Sequence, residues 1–411
     1  MELNWKSSGK TRGHREVKAV TSKADLPRVI LRPREDRRLR RGHCWVYDGE
    51  IAEAPEGLAA GDSVLVTDAA GRPVGSALWN PGSRIRARLF DRGAANYRAV
   101  LPELLARALA LREAVYGEPH YRLLYGESDG TPGVTADRYG GLVVAQLASA
   151  VAESHAGELA DALLALPGVG SLVLRRDAPV REREGLALLP PEARGPVPET
   201  PEALEGGLRC RFDALGGMKG GWFWDQRESR AWLRRLATGK RVLDLFCHAG
   251  GFALQAAAGG AVEALGLDRS EEALALARES ARLNGLDCRF RAMDLFGGAG
   301  APGWPHGRWD LVVLDPPALA KSRGDARQAL GAYEHLNKKA AARVEAGGVL
   351  LTCSCTYPVE ETVWQGTVLR ALARAGRRAR VLHRGGQGPD HPVLPGMPET
   401  RYLKVLAVQL L

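Results

Sequence analysis

Two cysteines separated by one residue lie where an apolar run gives way to a proline and two acids. The stretch is LLTCSCTYPVEE, and the cysteines are Cys353 and Cys355. The Gly347–Gly348 turn is expected to start a strand here and Pro358 to end it. Both thiols should then point to one face, with Cys355 at the carboxyl rim of a sheet. A thiolate at such a rim can act as the nucleophile of covalent catalysis.

Four aspartates end four successive strand-like runs, KRVLDLF, AVEALGLD, DCRFRAMD and WDLVVLD. They are Asp244, Asp268, Asp294 and Asp315. Ligands of open parallel sheets bind beyond the carboxyl ends of the strands, so these side chains are expected at one edge. A single aspartate would more simply cap a helix or face solvent. Four in equivalent positions favour a binding site.

The ligand predicted at this edge is a nucleoside that carries no diphosphate. The G-x-G-x-x-G pattern of dinucleotide sites is missing, and Gly250 and Gly251 follow the first strand, where they would let a ligand approach the backbone. Asp268 can accept both ribose hydroxyls, and Asp294 can accept an adenine amino group. S-adenosylmethionine is the common cofactor of this kind.

The elements that must position these residues begin near Gly207. Apolar strands alternate there with helical segments, which predicts a parallel sheet with helices on both faces. The clearest helix starts at Ser270 as its N-cap, carries Glu271 and Glu272 in its first turn, and stops at Gly285.

The chain before this region has a different composition and hydrophobic pattern. Residues 1–26 are polar, basic and aperiodic, which predicts a disordered tail. Short apolar pieces broken by Gly and Pro over 27–98 predict a small β-barrel. A helix over 98–117 and a turn-rich hairpin are expected next. The Pro-rich run 188–204 cannot form a helix and is expected to be a linker or a crossing between domains.

Charge, cysteine content and the lack of long apolar spans indicate the partner and the compartment of the protein. The 411 residues carry a formal charge of +9, which makes a polyanion such as nucleic acid the first partner to consider. Six scattered cysteines form neither a disulfide framework nor zinc-binding pairs, so a reducing compartment and no metal are expected. The sequence shows no signal peptide and no long apolar span, and we therefore expect a cytoplasmic protein without a membrane partner.

Taken together, these motifs resemble a known family. VLDLFCHAGGFAL, GLDRS, LNGL, DLVVLDPPALAKS and GGVLLTCSCT, with GGWFWDQRESR and GESDGTPGVTADRYG upstream, are similar to bacterial 23S rRNA cytosine methyltransferases of the RlmI type. The likeness runs from about residue 28 to the C-terminus. It implies a multidomain α/β protein with a PUA-like RNA-binding domain over 27–98, a central α+β domain and linker over 99–204, and a Rossmann-like class I methyltransferase domain over 205–411.

The resemblance also implies roles for individual residues. The family's nucleophile falls on Cys355, and Asp315 would hold the cytosine edge while the thiolate adds to ring carbon 6 and makes carbon 5 reactive toward S-adenosylmethionine. Cys353 matches no catalytic position and is predicted to be structural. The implied cofactor-binding residues are Gln226, Arg227, Asp244, Phe246, His248, Gly250, Gly251, Asp268, Asn284, Asp294, Asp315 and Pro316. Related enzymes carry a second cysteine after Asp-x-Pro, where this chain has Ala318, so the base that takes the carbon 5 proton stays unassigned.

Clustered arginines in the front part of the chain predict phosphate contacts, although a solvated face explains any single one equally well. Trp222, Phe223 or Trp224 would stack on a single-stranded or flipped base, or else belong to the core. The predicted RNA-binding residues are Arg37, Arg38, Arg40, Arg41, Arg84, Arg86, Arg88, Lys219, Lys321 and Arg323.

Three other functions compete with this interpretation. An RNA guanine or adenine amino or ring-nitrogen methyltransferase would leave Cys355 without a task and usually has an aromatic residue where Ala318 stands. A nicotinamide-dependent oxidoreductase lacks its glycine fingerprint here. A non-catalytic RNA-binding protein would give the four strand-end aspartates no function. The sequence also leaves open a homodimer.

Overall fold

The computed structural model describes residues 26–217, 220–297, 305–320, 322 and 324–411. The predicted tail over 1–26 lies outside these residues except for Leu26. The described strands form three large sheets and one two-stranded ribbon. In the described part of the chain, no helix is both long and apolar enough to cross a membrane.

The first sheet has six strands in the order β2-β6-β5-β4-β1-β3. Its β1 and β4 are parallel, and its other pairs are antiparallel. Val29, Val46, Val64 and Ala87 are buried in its core, which explains the short apolar pieces of the sequence. The strands are β1 (Arg28–Leu31), β2 (Trp45–Tyr47), β3 (Ile51–Glu53), β4 (Ser63–Thr67), β5 (Pro73–Trp79) and β6 (Ile85–Asp91), with helix α1 (Asp36–Arg40) after β1.

The second sheet has five strands in the order β11-β10-β9-β8-β7 and packs against α2. The predicted helix is confirmed as α2, capped by Asn96, and the predicted hairpin is β8 with β9. The elements are α2 (Tyr97–Val115), β7 (His120–Tyr125), β8 (Val134–Tyr139), β9 (Leu142–Leu147), α3 (Ala150–Glu153), α4 (Ala156–Leu164), β10 (Ser171–Arg176) and β11 (Leu189–Arg194).

The Pro-rich run differs from its prediction as a linker or crossing. Its first part is β11, an edge strand that pairs antiparallel with β10. An edge strand tolerates Pro190 and Pro191 because a residue without an N–H costs no ladder bond on the open side. Its end enters β12 (Glu202–Glu205), which forms a ribbon with β13 (Leu208–Arg211).

The third sheet has seven strands in the order β16-β15-β14-β17-β18-β20-β19. The first five strands of this order are parallel, and β20 is antiparallel to both of its neighbours. The strands are β14 (Arg241–Leu245), β15 (Glu263–Asp268), β16 (Arg289–Ala292), β17 (Trp309–Leu314), β18 (Val344–Ser354), β19 (Ala379–Gly385) and β20 (Lys404–Leu410). The order reverses between β14 and β17, which is where such sheets bind their ligands.

Helices cover both faces of this sheet, as the alternating pattern predicts. They are α5 (Arg227–Arg234), α6 (Gly251–Ala258), α7 (Glu271–Leu283), α8 (Ala326–Ala341) and α9 (Glu361–Arg374). The N-cap prediction for α7 is confirmed, since the Ser270 side chain accepts from Ala273 N at 3.2 Å. Strand β18 starts earlier than expected, at Val344, and passes through Gly347 and Gly348 with a register shift against β17.

Candidate active site

Asp244 lies within β14, fully buried at the centre of the sheet. Its Oδ2 accepts a hydrogen bond of 3.0 Å from Ala253 N in helix α6. Its Oδ1 is buried and has no hydrogen-bond partner among the described residues. Burial raises the pKa of this carboxyl to about 8. An acceptor in this position suits a cationic or N–H-bearing ligand group.

The loop after β14 has a strained backbone. Phe246 and His248 adopt positive φ angles of 65° and 48°, which are uncommon for residues other than glycine. Such strain persists only where the surroundings hold it, and it concentrates at functional sites. One restraint is Asp268 at the end of β15, whose Oδ2 accepts from His248 N at 2.9 Å and whose Oδ1 accepts from Ser270 N at 3.0 Å. Each oxygen keeps one further acceptor position.

The two glycines of this loop are explained by packing within the protein. A Cβ on Gly250 would lie 2.7 Å from the Phe290 ring, and its φ is 78°. A Cβ on Gly251 would lie 3.0 Å from Arg230 Cδ. This corrects the reason that the sequence suggested, because protein atoms rather than a ligand occupy the space on those sides.

Asp294 follows β16 by two residues and is exposed. Its Oδ1 accepts from Phe296 N at 3.0 Å, which fixes the turn. The Phe296 ring lies 5.2 Å from the Phe246 ring, tilted by 56°. The loops after β14 and β16 therefore meet through two aromatic side chains at the edge that carries the acids.

Asp315 follows β17 directly and is held by a residue from far upstream. Gln226 Nε2 donates to Asp315 Oδ2 at 2.9 Å, while Gln226 Oε1 is buried without a partner among the described residues. Pro316, the next residue, is buried, and its carbonyl oxygen lies 3.9 Å from Cys355 Sγ. The Cys355 thiol therefore lies against the segment that begins with Asp315, at the carboxyl edge of the sheet.

The two cysteines of the opening motif have different environments. Cys353 is fully buried in β18 opposite Val405, and burial raises its pKa well above the usual range for a thiol. Cys355 lies just past the end of β18 and is partly exposed. Thr356 anchors the turn, since its Oγ1 accepts from Leu319 N at 2.9 Å.

Two predicted cofactor ligands are engaged elsewhere. The Arg227 guanidinium lies between the rings of Tyr116 and Trp224, 4.1 and 4.3 Å from their centroids, and also donates to His120 O. Asn284 caps α7 and uses its side chain on Arg209, accepting from the backbone N at 3.0 Å and donating to the carbonyl at 2.8 Å. The Asn284 prediction is corrected, because its amide binds the protein itself. Arg227 is held by the two rings and the carbonyl oxygen, and its Nε is buried without a hydrogen-bond partner among the described residues.

The predicted RNA-binding arginines of the first sheet divide into two groups. Arg37, Arg41 and Arg84 are exposed. The others form ion pairs: Arg38 with Glu50, Arg40 with Asp36 and Asp68, Arg86 with Asp48, and Arg88 with Glu127 and Glu184.

Arg88 is the one prediction of this set that the structure contradicts. Its side chain is 8% exposed and donates at 2.9 and 3.1 Å to Glu127 and Glu184, which belong to the neighbouring part of the chain. Strand alternation placed it with Arg84 and Arg86 on a solvent face, whereas this face is covered. Arg88 joins the first sheet to the second.

Other predicted contacts lie in the core or outside the described residues. Trp222 and Trp224 are buried, so they are core residues rather than stacking platforms. Phe223 is partly exposed, and its ring meets that of His248 at 5.0 Å, edge to face. The predicted contacts outside the described residues are Lys219, Lys321 and Arg323.

Sequence reasoning missed one charged residue beside the rim. Lys404 starts β20, is buried, and donates from Nζ to the carbonyl oxygens of Thr356 at 2.9 Å and Tyr402 at 3.0 Å. The signal was a single lysine inside an otherwise apolar strand, which is unusual because buried lysines are rare.

The residues at this edge fit S-adenosylmethionine. Two buried acceptors, Asp244 Oδ1 and Gln226 Oε1, have no partner among the described residues, and a cofactor with an ammonium group offers donors for such atoms. Asp268 has acceptor positions left for ribose hydroxyls, and Asp294 is exposed at the next strand end.

Comparison with sequence families agrees with this geometry. Residues 29–92 match the family described as a PUA-like domain. Residues 192–405, just over half of the chain, match the family described as S-adenosylmethionine-dependent methyltransferases. The second match contains all four strand-end aspartates and Cys355.

Relatives and solved structures extend the likeness to nearly the whole chain. A Klebsiella pneumoniae (strain 342) protein named ribosomal RNA large subunit methyltransferase I is 36% identical over 399 residues, covering 94% of this chain and 99% of that protein. A protein of the same name from Salmonella enteritidis PT4 (strain P125109) is 34% identical over 398 residues, covering 94% of this chain and 98% of that protein. The fold is shared with a putative SAM-dependent methyltransferase from Streptococcus mutans, at TM-score 0.77, 19% identity and coverages of 93% and 99%. It is also shared with a putative methyltransferase complexed with SAH, at TM-score 0.78, 20% identity and the same coverages.

Proposed function

The chain belongs to the ribosomal RNA large subunit methyltransferase I family, and we propose that it methylates carbon 5 of a cytosine in 23S ribosomal RNA through a covalent adduct on Cys355. The observation that carries the proposal is the 3.9 Å approach of Cys355 Sγ to Pro316 O, which joins the thiol to the Asp315 loop. The thiol is partly exposed there, at the edge where the strand-end acids lie.

The proposed reaction starts with a new bond between Cys355 Sγ and cytosine carbon 6. Asp315 holds the cytosine edge and stabilises the charge that develops at ring nitrogen 3. S-adenosylmethionine, when bound, supplies the methyl group from its sulfonium to carbon 5. Loss of the carbon 5 proton to a base then restores the double bond and breaks the bond from sulfur to carbon 6, which returns the thiolate.

Four residues are proposed to hold the cofactor. Asp244 Oδ1 and Gln226 Oε1 are acceptors for its N–H groups, Asp268 for its ribose hydroxyls and Asp294 for its adenine amino group. Phe246 and His248 shape the loop beside them through their positive φ angles. Gly250, Gly251 and Pro316 contribute backbone and shape rather than side-chain donors.

The RNA is proposed to run from the first sheet to this edge. Arg37, Arg41 and Arg84 are exposed cations suited to phosphate contacts. The cytosine must be single-stranded or flipped, because its ring carbons are inaccessible inside a duplex. A ribosomal RNA substrate implies action in the cytoplasm. The proposed steps use residues of one chain and call for neither a metal nor a homodimer.

A methylation assay tests the proposal. The protein is incubated with labelled S-adenosylmethionine and 23S rRNA from cells that lack it, and the product nucleoside is identified by mass spectrometry. We expect 5-methylcytidine from the wild type and from Cys353→Ala, and none from Cys355→Ala, which still binds S-adenosylhomocysteine in calorimetry. Methylated guanosine or adenosine, or equal loss from both cysteine variants, would refute it.

A further inference from the structure

Lys404 places a buried ammonium beside the turn that carries the proposed nucleophile. Lys404 pairs across the sheet with Ser354, the last residue of β18. Its side chain bridges two carbonyl oxygens, those of Thr356 and Tyr402, and the residue is 6% exposed. The Nζ atom is therefore fixed against the residue that follows Cys355.

The charge of Lys404 has no ordinary counter-ion in the described part of the chain. Its hydrogen-bond partners are two carbonyl oxygens, and no described carboxylate lies within ion-pair distance of Nζ. Burial lowers the pKa of Lys404, and negative charge on Cys355 is the strongest influence in the opposite direction, ahead of Glu361 and Glu360. An ammonium buried without a counter-charge is costly, so the environment favours an anion nearby.

The carboxylates near Lys404 are less suited to this role than the thiol. Glu361 forms an ion pair with Arg401 at 2.7 Å, and Glu360 is exposed. Charged or titratable groups face the Cys355 turn from each neighbouring element: Lys404 from β20, Tyr333 from α8, Asp315 from the loop after β17, and Glu360, Glu361 and Arg401 from farther out. Lys404 is the cation of this set that is buried against the turn.

We propose that Lys404 is a positioning residue that favours the thiolate form of Cys355 through its charge and holds the turn through the Thr356 carbonyl. In the reaction, the negative charge moves from sulfur into the cytosine ring when the bond to carbon 6 forms. It returns to sulfur when that bond breaks, so Lys404 stabilises both the attacking and the leaving thiolate. The catalytic meaning of this role rests on the proposed function.

Site-resolved alkylation of the full-length protein tests the charge effect. Wild type, Lys404→Met and Lys404→Arg are treated with iodoacetamide from pH 6 to 10, and the peptide that contains Cys355 is quantified by mass spectrometry. Because a neighbouring opposite charge favours the charged form of a thiol by about tenfold or more, Cys355 in Lys404→Met should react about tenfold more slowly than in the wild type at pH 7 and equally at pH 10. Lys404→Arg should keep the wild-type profile.

The wild type contains its own reference thiol, should Lys404→Met fail to fold. Cys288 is partly exposed like Cys355, and burial raises its pKa to about 12. At pH 7, Cys355 should be alkylated at least about tenfold faster than Cys288. Equal rates in the wild type, or an unchanged pH profile in a folded Lys404→Met, would overturn the role of Lys404.

The same variants separate this inference from the proposed function. If Cys355→Ala still methylates RNA, the covalent route is wrong even though the alkylation result stands. If Cys355→Ala is inactive and the alkylation profile of Lys404→Met matches the wild type, the covalent route stands and the inference fails. Loss of methylation in Lys404→Met that is restored in Lys404→Arg supports both.

Discussion

Gln226 and Asp315, 89 positions apart in the chain, are joined by a hydrogen bond of 2.9 Å from Nε2 to Oδ2. Gln226 lies in the short turn before α5, and Asp315 directly follows β17, a strand at the switch point. The bond holds one oxygen of the Asp315 carboxylate in place. It connects the segment that precedes the large sheet to the proposed chemistry.

Replacing Gln226 with Leu should impair catalysis more than folding. The Asp315 carboxylate would lose the donor that orients it, and misplacing a catalytic group by about 1 Å costs roughly a hundredfold in rate. We expect kcat to fall about tenfold to a hundredfold. The matched control is Gln255→Leu, another buried glutamine, whose side chain donates to Glu205 O at 2.9 Å and not to Asp315. Steady-state methylation and thermal melting of both variants provide the comparison, and an equal loss of kcat in the control would count against an orienting role.

The raised pKa of Asp244 predicts how the stability of the ligand-free protein depends on pH. Its pKa is raised by burial to about 8, against 3.8 in an ordinary carboxyl. Between these values the folded state binds a proton that the unfolded state lacks, so stability falls as pH rises from about 4 to 8. An uncharged amide resembles the protonated carboxyl, and Asp244→Asn should therefore melt a few degrees higher than the wild type at pH 8, with a smaller difference near pH 5.

The same substitution has the opposite effect on cofactor binding. A ligand ammonium would pair with the ionised Asp244 but not with an amide, so Asp244→Asn should bind S-adenosylhomocysteine about tenfold or more weakly at pH 8. Calorimetry measures both binding and its proton release. Unchanged affinity together with higher stability would mean that Asp244 does not face the cofactor.

Arg84 and Arg88 should behave differently although they are four residues apart. Arg84 is exposed, and its replacement by Ala should reduce the log–log salt slope of RNA binding by about 0.7 to 0.9 without changing the melting temperature. Arg88→Ala leaves Glu127 and Glu184 without their shared cation and should cost about 3 to 5 kcal/mol of stability with little effect on the slope. Filter binding over a salt series, beside thermal melts, separates them. A reduced salt slope of RNA binding for Arg88→Ala would instead mean that Arg88 contacts RNA.

The sequence alone predicts the place of a residue in the fold wherever a local pattern determines that place. The strand-end aspartates and the Ser270 cap follow from strand patterns, turn residues and capping chemistry, which act over a few residues. These rules also predicted the α/β sheet and the strand-rich first domain. The chemistry of the rim follows because parallel strands end at one edge.

The errors come from partners that are distant in sequence. Arg88 is neutralised by residues 39 and 96 positions away. Asn284 bonds to Arg209, 75 positions earlier. No local pattern distinguishes such a side chain from one that faces a ligand, because the sequence shows only a polar residue in both cases.

The most direct test of the covalent route is to trap the adduct. RNA that carries 5-fluorocytidine at the target has no carbon 5 proton to lose, so the bond from sulfur to carbon 6 cannot be broken after methyl transfer. The covalent route predicts a denaturation-resistant protein–RNA complex that requires S-adenosylmethionine, whose RNA-bearing peptide contains Cys355, and that is absent from Cys355→Ala. A complex bonded through another residue, or normal methylation of cytosine by Cys355→Ala, would contradict it.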